Sequence, residues 1–205
     1  MLEFVYDLVY EFVPRSLIKI LYMDTDSLYA AYGAPGGLED CVPPEGRKAF
    51  YEIYRNFFPS PVCDGHWDDY VRYKTTGGEG RSPGTDCVAC DRRRAYDRRT
   101  PGLFKVEFEG EEFVGLCSKT YYCSGYEAGS DKSSSKGVQK KRNAFSASDY
   151  RSVLTTQKRL MGMNMGFRAG DGRVYTYTQH KQALTYFYPK RRVHADSVST
   201  SPLAL

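Results

Sequence analysis

The chain has 205 residues, enough for one ordinary domain or two small ones, and its 41% hydrophobic and 26% charged residues are a globular composition able to bury a core. No apolar run reaches the roughly 20 residues of a membrane span, and the N-terminus lacks the order of a signal peptide; a soluble, intracellular protein with no membrane partner is expected, the nucleus being one open location. The formal charge of +4 hides an asymmetry, with 5 Lys+Arg against 12 Asp+Glu in residues 1–70 and 24 against 13 in residues 71–205, which suits either a polyanion-holding surface beside an acidic point or two differently solvated faces.

In chain order, Leu2, Val5, Tyr6, Val9 and Phe12 fall at helical spacing and predict an amphipathic helix. It starts without a capping residue, Met1 lying inside the pattern, as expected of a segment cut from a longer protein. Two β-prone runs, residues 17–22 and 27–32, flank Met23-Asp24-Thr25-Asp26 and predict a hairpin with acid at its tip. Residues 43–58, opened by proline, predict a second helix. Residues 59–102, rich in Gly, Pro, Asp and Arg, are expected to be loop. Residues 103–123 alternate and predict a hairpin turning at Glu109-Gly110. A polar loop over 129–137, a helix over 147–160, a strand pair within 166–188 turning at 170–172, and a loose tail complete the chain.

The tip carries the strongest chemical signal. Asp24 and Asp26 are one residue apart, so on extended backbone both carboxylates would face one point. Like charges that close repel unless a cation compensates them. Mg²⁺, or Mn²⁺ in its place, suits such a pair because it takes oxygen ligands, one or two carboxylates and substrate phosphates. A bare Asp-x-Asp is also a common capped turn.

The string Ile20-Leu21-Tyr22-Met23-Asp24-Thr25-Asp26-Ser27-Leu28-Tyr29 resembles the YxDTDS motif of family B DNA polymerases. The resemblance implies an α+β fold: a partial polymerase palm, whose antiparallel hairpin bears the acidic turn and packs on helices, with a small β/α thumb-like region. It implies Asp26 as the metal ligand, Asp24 as the supporting carboxylate and Tyr22 beside the nucleotide. Ser118-Lys119-Thr120-Tyr121 resembles the KxY motif of the protein-primed branch found in viruses, linear plasmids and transposons, in which the lysine and tyrosine hold the primer. On a strand, Lys119 and Tyr121 would point to one side. Thr100 to Phe108 is similar to the strand entering that hairpin. Lys136, Lys140, Lys141 and Arg142 match the approach to the thumb, where cations meet phosphates, and residues 186–192 are similar to a closing strand.

The implied partners are primer–template DNA, deoxynucleoside triphosphates, the missing N-terminal part of the polymerase and, in this branch, a terminal protein primer. The implied activity is that of a DNA-directed DNA polymerase, a nucleotidyltransferase. The earlier palm carboxylate and the finger lysine of the family have no counterpart here, so an incomplete catalytic unit, inactive or barely active alone, is expected. The expected segments are a partial palm (1–58), a basic insertion (59–102), a primer-grip hairpin (103–128), a thumb-like region (129–195) and a tail (196–205).

A second site is suggested inside the insertion, where Cys63, His66, Cys87 and Cys90 form a C-x₂-H and a C-x₂-C pair. The spacing fits zinc, and unpaired thiols in a variable insertion are the alternative. Three readings therefore stand: a polymerase fragment, a nucleic-acid-binding module without catalysis, and a metal-stabilised structural domain with an incidental acidic turn.

Overall fold

The computed structural model describes residues 1–78, 82–186, 191–196 and 199–202. It is an α+β chain of short helices and small antiparallel sheets that divides into two compact units, Met1–Glu107 and Phe108–Leu205. Among the described residues no helix is long and apolar enough to cross a membrane.

The first unit is built around one apolar cluster. Its opening segment is a π-helical stretch, Phe4–Val9, running into a single turn, α1 (Tyr10–Phe12). This changes the expected face. A π-helix closes i→i+5 bonds and has more residues per turn than an α-helix, so Phe4, Val5, Leu8, Val9 and Val13 are the buried set, whereas Leu2 and Tyr6 are 66% and 61% exposed. Strands β1 (Ile18–Asp24) and β2 (Ser27–Tyr32) form the expected antiparallel hairpin. Ile18, Ile20 and Leu28 rest on the cluster and anchor it. The second helix is shorter than expected: a 3₁₀ turn at Pro44–Gly46 leads into α2 (Arg47–Tyr54), which sends Phe50, fully buried, into the core.

The expected loop of residues 59–102 is largely helical. Two helices, α3 (Trp67–Thr75) and α4 (Val88–Asp97), lie within it. Val62, Trp67, Val71 and Cys90 from this segment are buried in the same cluster as Phe50. The mainly polar and basic face of α4 hid its helical period, and the prolines and described glycines that suggested loop lie outside α3 and α4.

The second unit is a sheet of β3 (Gly110–Cys117), β4 (Thr120–Gly125) and β5 (Lys132–Ser134), with α5 (Ala147–Thr156) packed on it through Tyr150 and Val153. Its first hairpin turns at Ser118-Lys119, not at Glu109-Gly110, where β3 only begins. Alternation of apolar residues fixes a strand's face but not its ends. The predicted helix from 147 stops at Thr156, where Gln157 takes a left-handed φ of 55°. It starts at a capping box in which Ser146 Oγ accepts from Asp149 N–H and the Asp149 carboxylate accepts from Ser146 N–H. A long hairpin, β6 (Leu160–Gly170) and β7 (Arg173–Leu184), turns at Asp171-Gly172. Part of the expected loose tail is paired: β9 (Thr200–Pro202) lies against β8 (Arg191–Val193). Of the expected closing strand, Phe187, Tyr188, Pro189 and Lys190 lie outside the described residues, while Arg191 and Arg192 are in β8.

Replacing the capping serine, Ser146→Ala, is expected to destabilise α5 by about 1 kcal/mol, read as faster amide hydrogen exchange along 147–156. The sheet of this unit should also be acid-sensitive. Tyr122 Oη and the Gly125 N–H donate to the Asp131 carboxylate and hold it below its ordinary value, and the Arg151 guanidinium holds Glu112 low in the same way. A depressed carboxylate stabilises the fold above its unfolded pKa of about 3.9–4.3 and loses that contribution as pH falls through the folded value. Acid unfolding of the wild type should therefore steepen below about pH 4, and the double variant Asp131→Asn/Glu112→Gln should flatten that limb.

Candidate metal centre and acidic turn

Two sites of different chemistry lie in the first unit. The acidic turn is a two-residue connection: Asp24 ends β1, Ser27 opens β2, and the two pair across the strands. Thr25 and Asp26 are therefore turn residues, and the expected extended backbone, with both aspartates on one strand face, is not what forms. Thr25 takes a φ of 55°, a conformation that a β-branched residue rarely adopts and that costs roughly 1–2 kcal/mol. Asp24 is half-buried and accepts from the Tyr22 and Thr25 hydroxyls, each at 3.3 Å. Ser27 Oγ donates to the Asp24 carbonyl at 3.1 Å. Asp26 is exposed at the tip. A bulge at Leu21 brings Tyr22 opposite Tyr29, with ring centroids 5.9 Å apart, a local irregularity of the kind found beside functional positions.

The expected primer-grip residues are in the second unit. Lys119 is a turn residue with a φ of 60°, and its carbonyl accepts from Ser134 Oγ at 2.9 Å. The expectation that Lys119 and Tyr121 share a strand face fails, because the hairpin reverses at Lys119. Tyr121 lies in the central strand, stacked on Phe113 at 5.7 Å. Lys136 is exposed, and its N–H donates to Thr120 Oγ1. Lys140, Lys141 and Arg142 form one exposed 3₁₀ turn. Asn143 fastens that turn to β6 through two bonds to the Met163 backbone at 2.7 and 2.8 Å.

The four residues of the suggested second site come together. Cys63, His66, Cys87 and Cys90 offer three sulfurs and one ring nitrogen that all lie within 4.8 Å of one another, so the cluster could hold a metal ion such as zinc. Each pair spans one turn of helix. Cys63 precedes a 3₁₀ turn, Asp64–His66, that leads into α3, and Cys87 is the N-cap of α4 with Cys90 one turn on. His66 Nδ1 is 3.3 Å from Cys63 Sγ and 3.4 Å from Cys90 Sγ, and those two sulfurs are 3.5 Å apart. The Cys63 N–H donates to Cys90 Sγ at 3.2 Å. The N–H of Cys90 pulls the Cys87 thiol below its ordinary value, whereas burial pushes the Cys90 thiol up.

The chain around the cluster is tied down by groups that the spacing of the four ligands gave no hint of. Asp97, 4% exposed on α4, accepts from Ser60 N–H and from Arg93 Nε, each at 2.9 Å. Arg94 donates to the Pro61 carbonyl at 2.7 Å. Arg55 bridges to Asp64 at 2.8 Å, and its guanidinium lies 4.6 Å from the centre of the Trp67 ring. Gly84 has a φ of +75°, and a Cβ there would sit 2.6 Å from Cys90 Sγ. The legible signal for this frame was Trp67, Tyr70 and Val71 at i, i+3 and i+4, the apolar edge of α3.

No protein-family model, curated protein or solved structure matches the chain.

Because Asn tolerates the left-handed conformation that Thr25 adopts, Thr25→Asn is expected to stabilise the first unit by about 1 kcal/mol. Trp67 is the chain's single tryptophan and lies in that unit's core. The gain should therefore appear as a higher urea midpoint in its fluorescence.

Proposed function

We propose that the chain is the later palm and reduced thumb of a DNA-directed DNA polymerase of the family B type. The observation that carries this is the acidic turn: two carboxylates one residue apart, at the tip of a hairpin anchored in the core through Ile18, Ile20 and Leu28. A β-branched residue held in the left-handed region between them supports the same reading, since such strain concentrates at functional sites. So does the sequence around it, residues 20–29, together with the lysine-bearing turn at 118–121.

In this reading Asp26 is the ligand of a divalent cation and Asp24 the supporting carboxylate. Asp26 is exposed, and Asp24 keeps its oxygens at the turn while accepting from two hydroxyls. Two carboxylates of this kind suit Mg²⁺ or Mn²⁺, which retain waters and take further oxygens from substrate phosphates. When bound, the cations compensate the charge that develops as a primer hydroxyl displaces pyrophosphate. The chain's own part is positional. The hairpin places both carboxylates at one tip, with Asp24 held by two hydroxyls, and Tyr22, edge-on to Tyr29, walls the nucleotide side. Lys119 and the exposed cations Lys136, Lys140, Lys141 and Arg142 supply contacts to the primer–template backbone. Two-metal chemistry draws ligands from more than one segment, so the reading requires a further carboxylate and a nucleotide-binding cation from polymerase sequence outside residues 1–205. A terminal protein primer belongs to the same reading.

The test separates binding from chemistry. The full chain should bind primer–template DNA with an affinity that falls linearly with log salt concentration, and replacing Lys140, Lys141 and Arg142 together by Ala should reduce the slope by about 2–3. In the presence of DNA and a nucleoside triphosphate, Mn²⁺ should broaden the amide resonances of residues 22–27 first, and Asp26→Asn should abolish that broadening. Broadening that begins elsewhere, or survives Asp26→Asn, would remove the acidic turn from metal binding and the polymerase reading with it. Primer extension by the 205-residue chain alone should be absent or barely detectable.

A further inference from the structure

The segment 59–102 poses a physical problem independent of the acidic turn. Its helices are short, with 9 residues in α3 and 10 in α4, below the roughly 12–15 at which isolated helices become even marginal in water. The only apolar side chains it sends into the core as fully buried groups are Val62, Trp67, Val71 and Cys90, among the described residues. Besides the Asp97, Arg94 and Arg55 bonds that tie its chain, the two helix starts meet at the Cys/His cluster.

Three of the four donors are spaced close to what a tetrahedral ion sets, and Cys87 Sγ lies within 4.8 Å of them. With Zn–S at about 2.3 Å and Zn–N at about 2.0–2.1 Å, tetrahedral angles set sulfurs about 3.8 Å apart and sulfur and nitrogen about 3.5 Å apart. The corresponding separations are 3.5 Å between Cys63 and Cys90 sulfurs and 3.3 and 3.4 Å from His66 Nδ1 to each. The donors are three soft sulfurs and an imidazole, which favour zinc and disfavour Mg²⁺ or Ca²⁺.

We propose that Cys63, His66, Cys87 and Cys90 form a closed Cys₃His zinc centre that folds residues 59–102. Four protein ligands complete the tetrahedron and leave no position for water or substrate, so the centre is structural and not catalytic. Three thiolates, a neutral imidazole and Zn²⁺ carry one net negative charge. The Cys63 N–H bond to Cys90 Sγ and the N-terminus of α4, where Cys87 caps the helix, supply positive partial charge against it. Gly84 completes the enclosure: it turns the chain at a positive φ, its carbonyl accepts from Cys87 N–H at 3.3 Å, and its missing side chain leaves room for the Cys90 sulfur. Metal binding and folding are then one equilibrium for this segment.

The experiment uses the full chain, purified without chelator. One zinc per chain is expected by elemental mass spectrometry. Replacement by Co²⁺ should give the intense visible absorption and thiolate-to-cobalt charge-transfer bands of a tetrahedral sulfur-rich site. Removal of zinc with a strong chelator should open residues 59–102 to limited proteolysis while residues 108–205 remain resistant, and zinc readdition should restore protection. His66→Ala should lose stoichiometric zinc, whereas His66→Cys, which keeps four ligands, should retain it and shift the cobalt spectrum toward that of four thiolates. Gly84→Ala should weaken zinc binding about 10–100-fold, the usual loss for an outer-shell partner. A chain that holds no zinc yet keeps the segment protected overturns the proposal, as does a Cys63–Cys90 disulfide or equal zinc content in wild type and His66→Ala.

Discussion

The convergence of three sulfurs and one imidazole on a single point is the constraint on which the first unit turns. A segment with short helices and few buried apolar groups loses conformational entropy on ordering that its own burial offsets poorly. Metal ligation, as proposed, would supply the difference in one place, because the four donors converge only when both helix starts are correctly set. The surrounding polar bonds take their meaning from this. Asp97 is a buried carboxylate that would be costly alone, yet Ser60 N–H and Arg93 satisfy it and so tie the Cys63 approach to α4. Arg94 does the same through the Pro61 carbonyl.

The two candidate sites in this unit are separated by chemistry rather than by fold. The acidic turn offers hard carboxylate oxygens at an exposed tip, suited to ions that keep water and exchange substrate phosphates. The Cys/His cluster offers soft donors and, as the proposed four-ligand centre, would complete its coordination from protein alone. An ion suited to one is poorly held by the other, so both could be loaded from the same solution without exchange between them.

How much of this was legible in the sequence depended on whether the signal was local. The acidic hairpin was, because period-two alternation through Ile18, Ile20 and Tyr22 and the Asp-Thr-Asp interruption are carried by neighbouring residues. The ligand spacing at Cys63, His66, Cys87 and Cys90 was visible for the same reason, although spacing alone favoured unpaired thiols in a variable insertion over zinc. What was hidden required tertiary knowledge. The helices of residues 59–102 bury few apolar side chains, and α4 reads as a polar, arginine-rich stretch until Cys90 is known to be buried. The reversal at Lys119 was missed because alternation does not say where a strand ends, and Lys119 is not a residue type that announces a left-handed turn. The opening π-helical stretch shifted its buried face because the expected stripe assumed 3.6 residues per turn.

One physical link joins the acidic turn to the metal centre. Ile18, Ile20 and Leu28, which seat the hairpin, pack on the same apolar cluster that contains Val62, Trp67, Val71 and the ligand Cys90. Close-packed cores transmit strain because their side chains have few alternative arrangements. In the proposed zinc form, releasing the ion would free Cys90 and the two helix starts, and the cluster beneath β1 would lose part of one wall. A turn that already holds Thr25 at a φ of 55° keeps that conformation only while its surroundings over-determine it. The proposed zinc centre would therefore stiffen the platform of the acidic tip, and loss of zinc would relax the geometry of Asp24 and Asp26 without touching either residue.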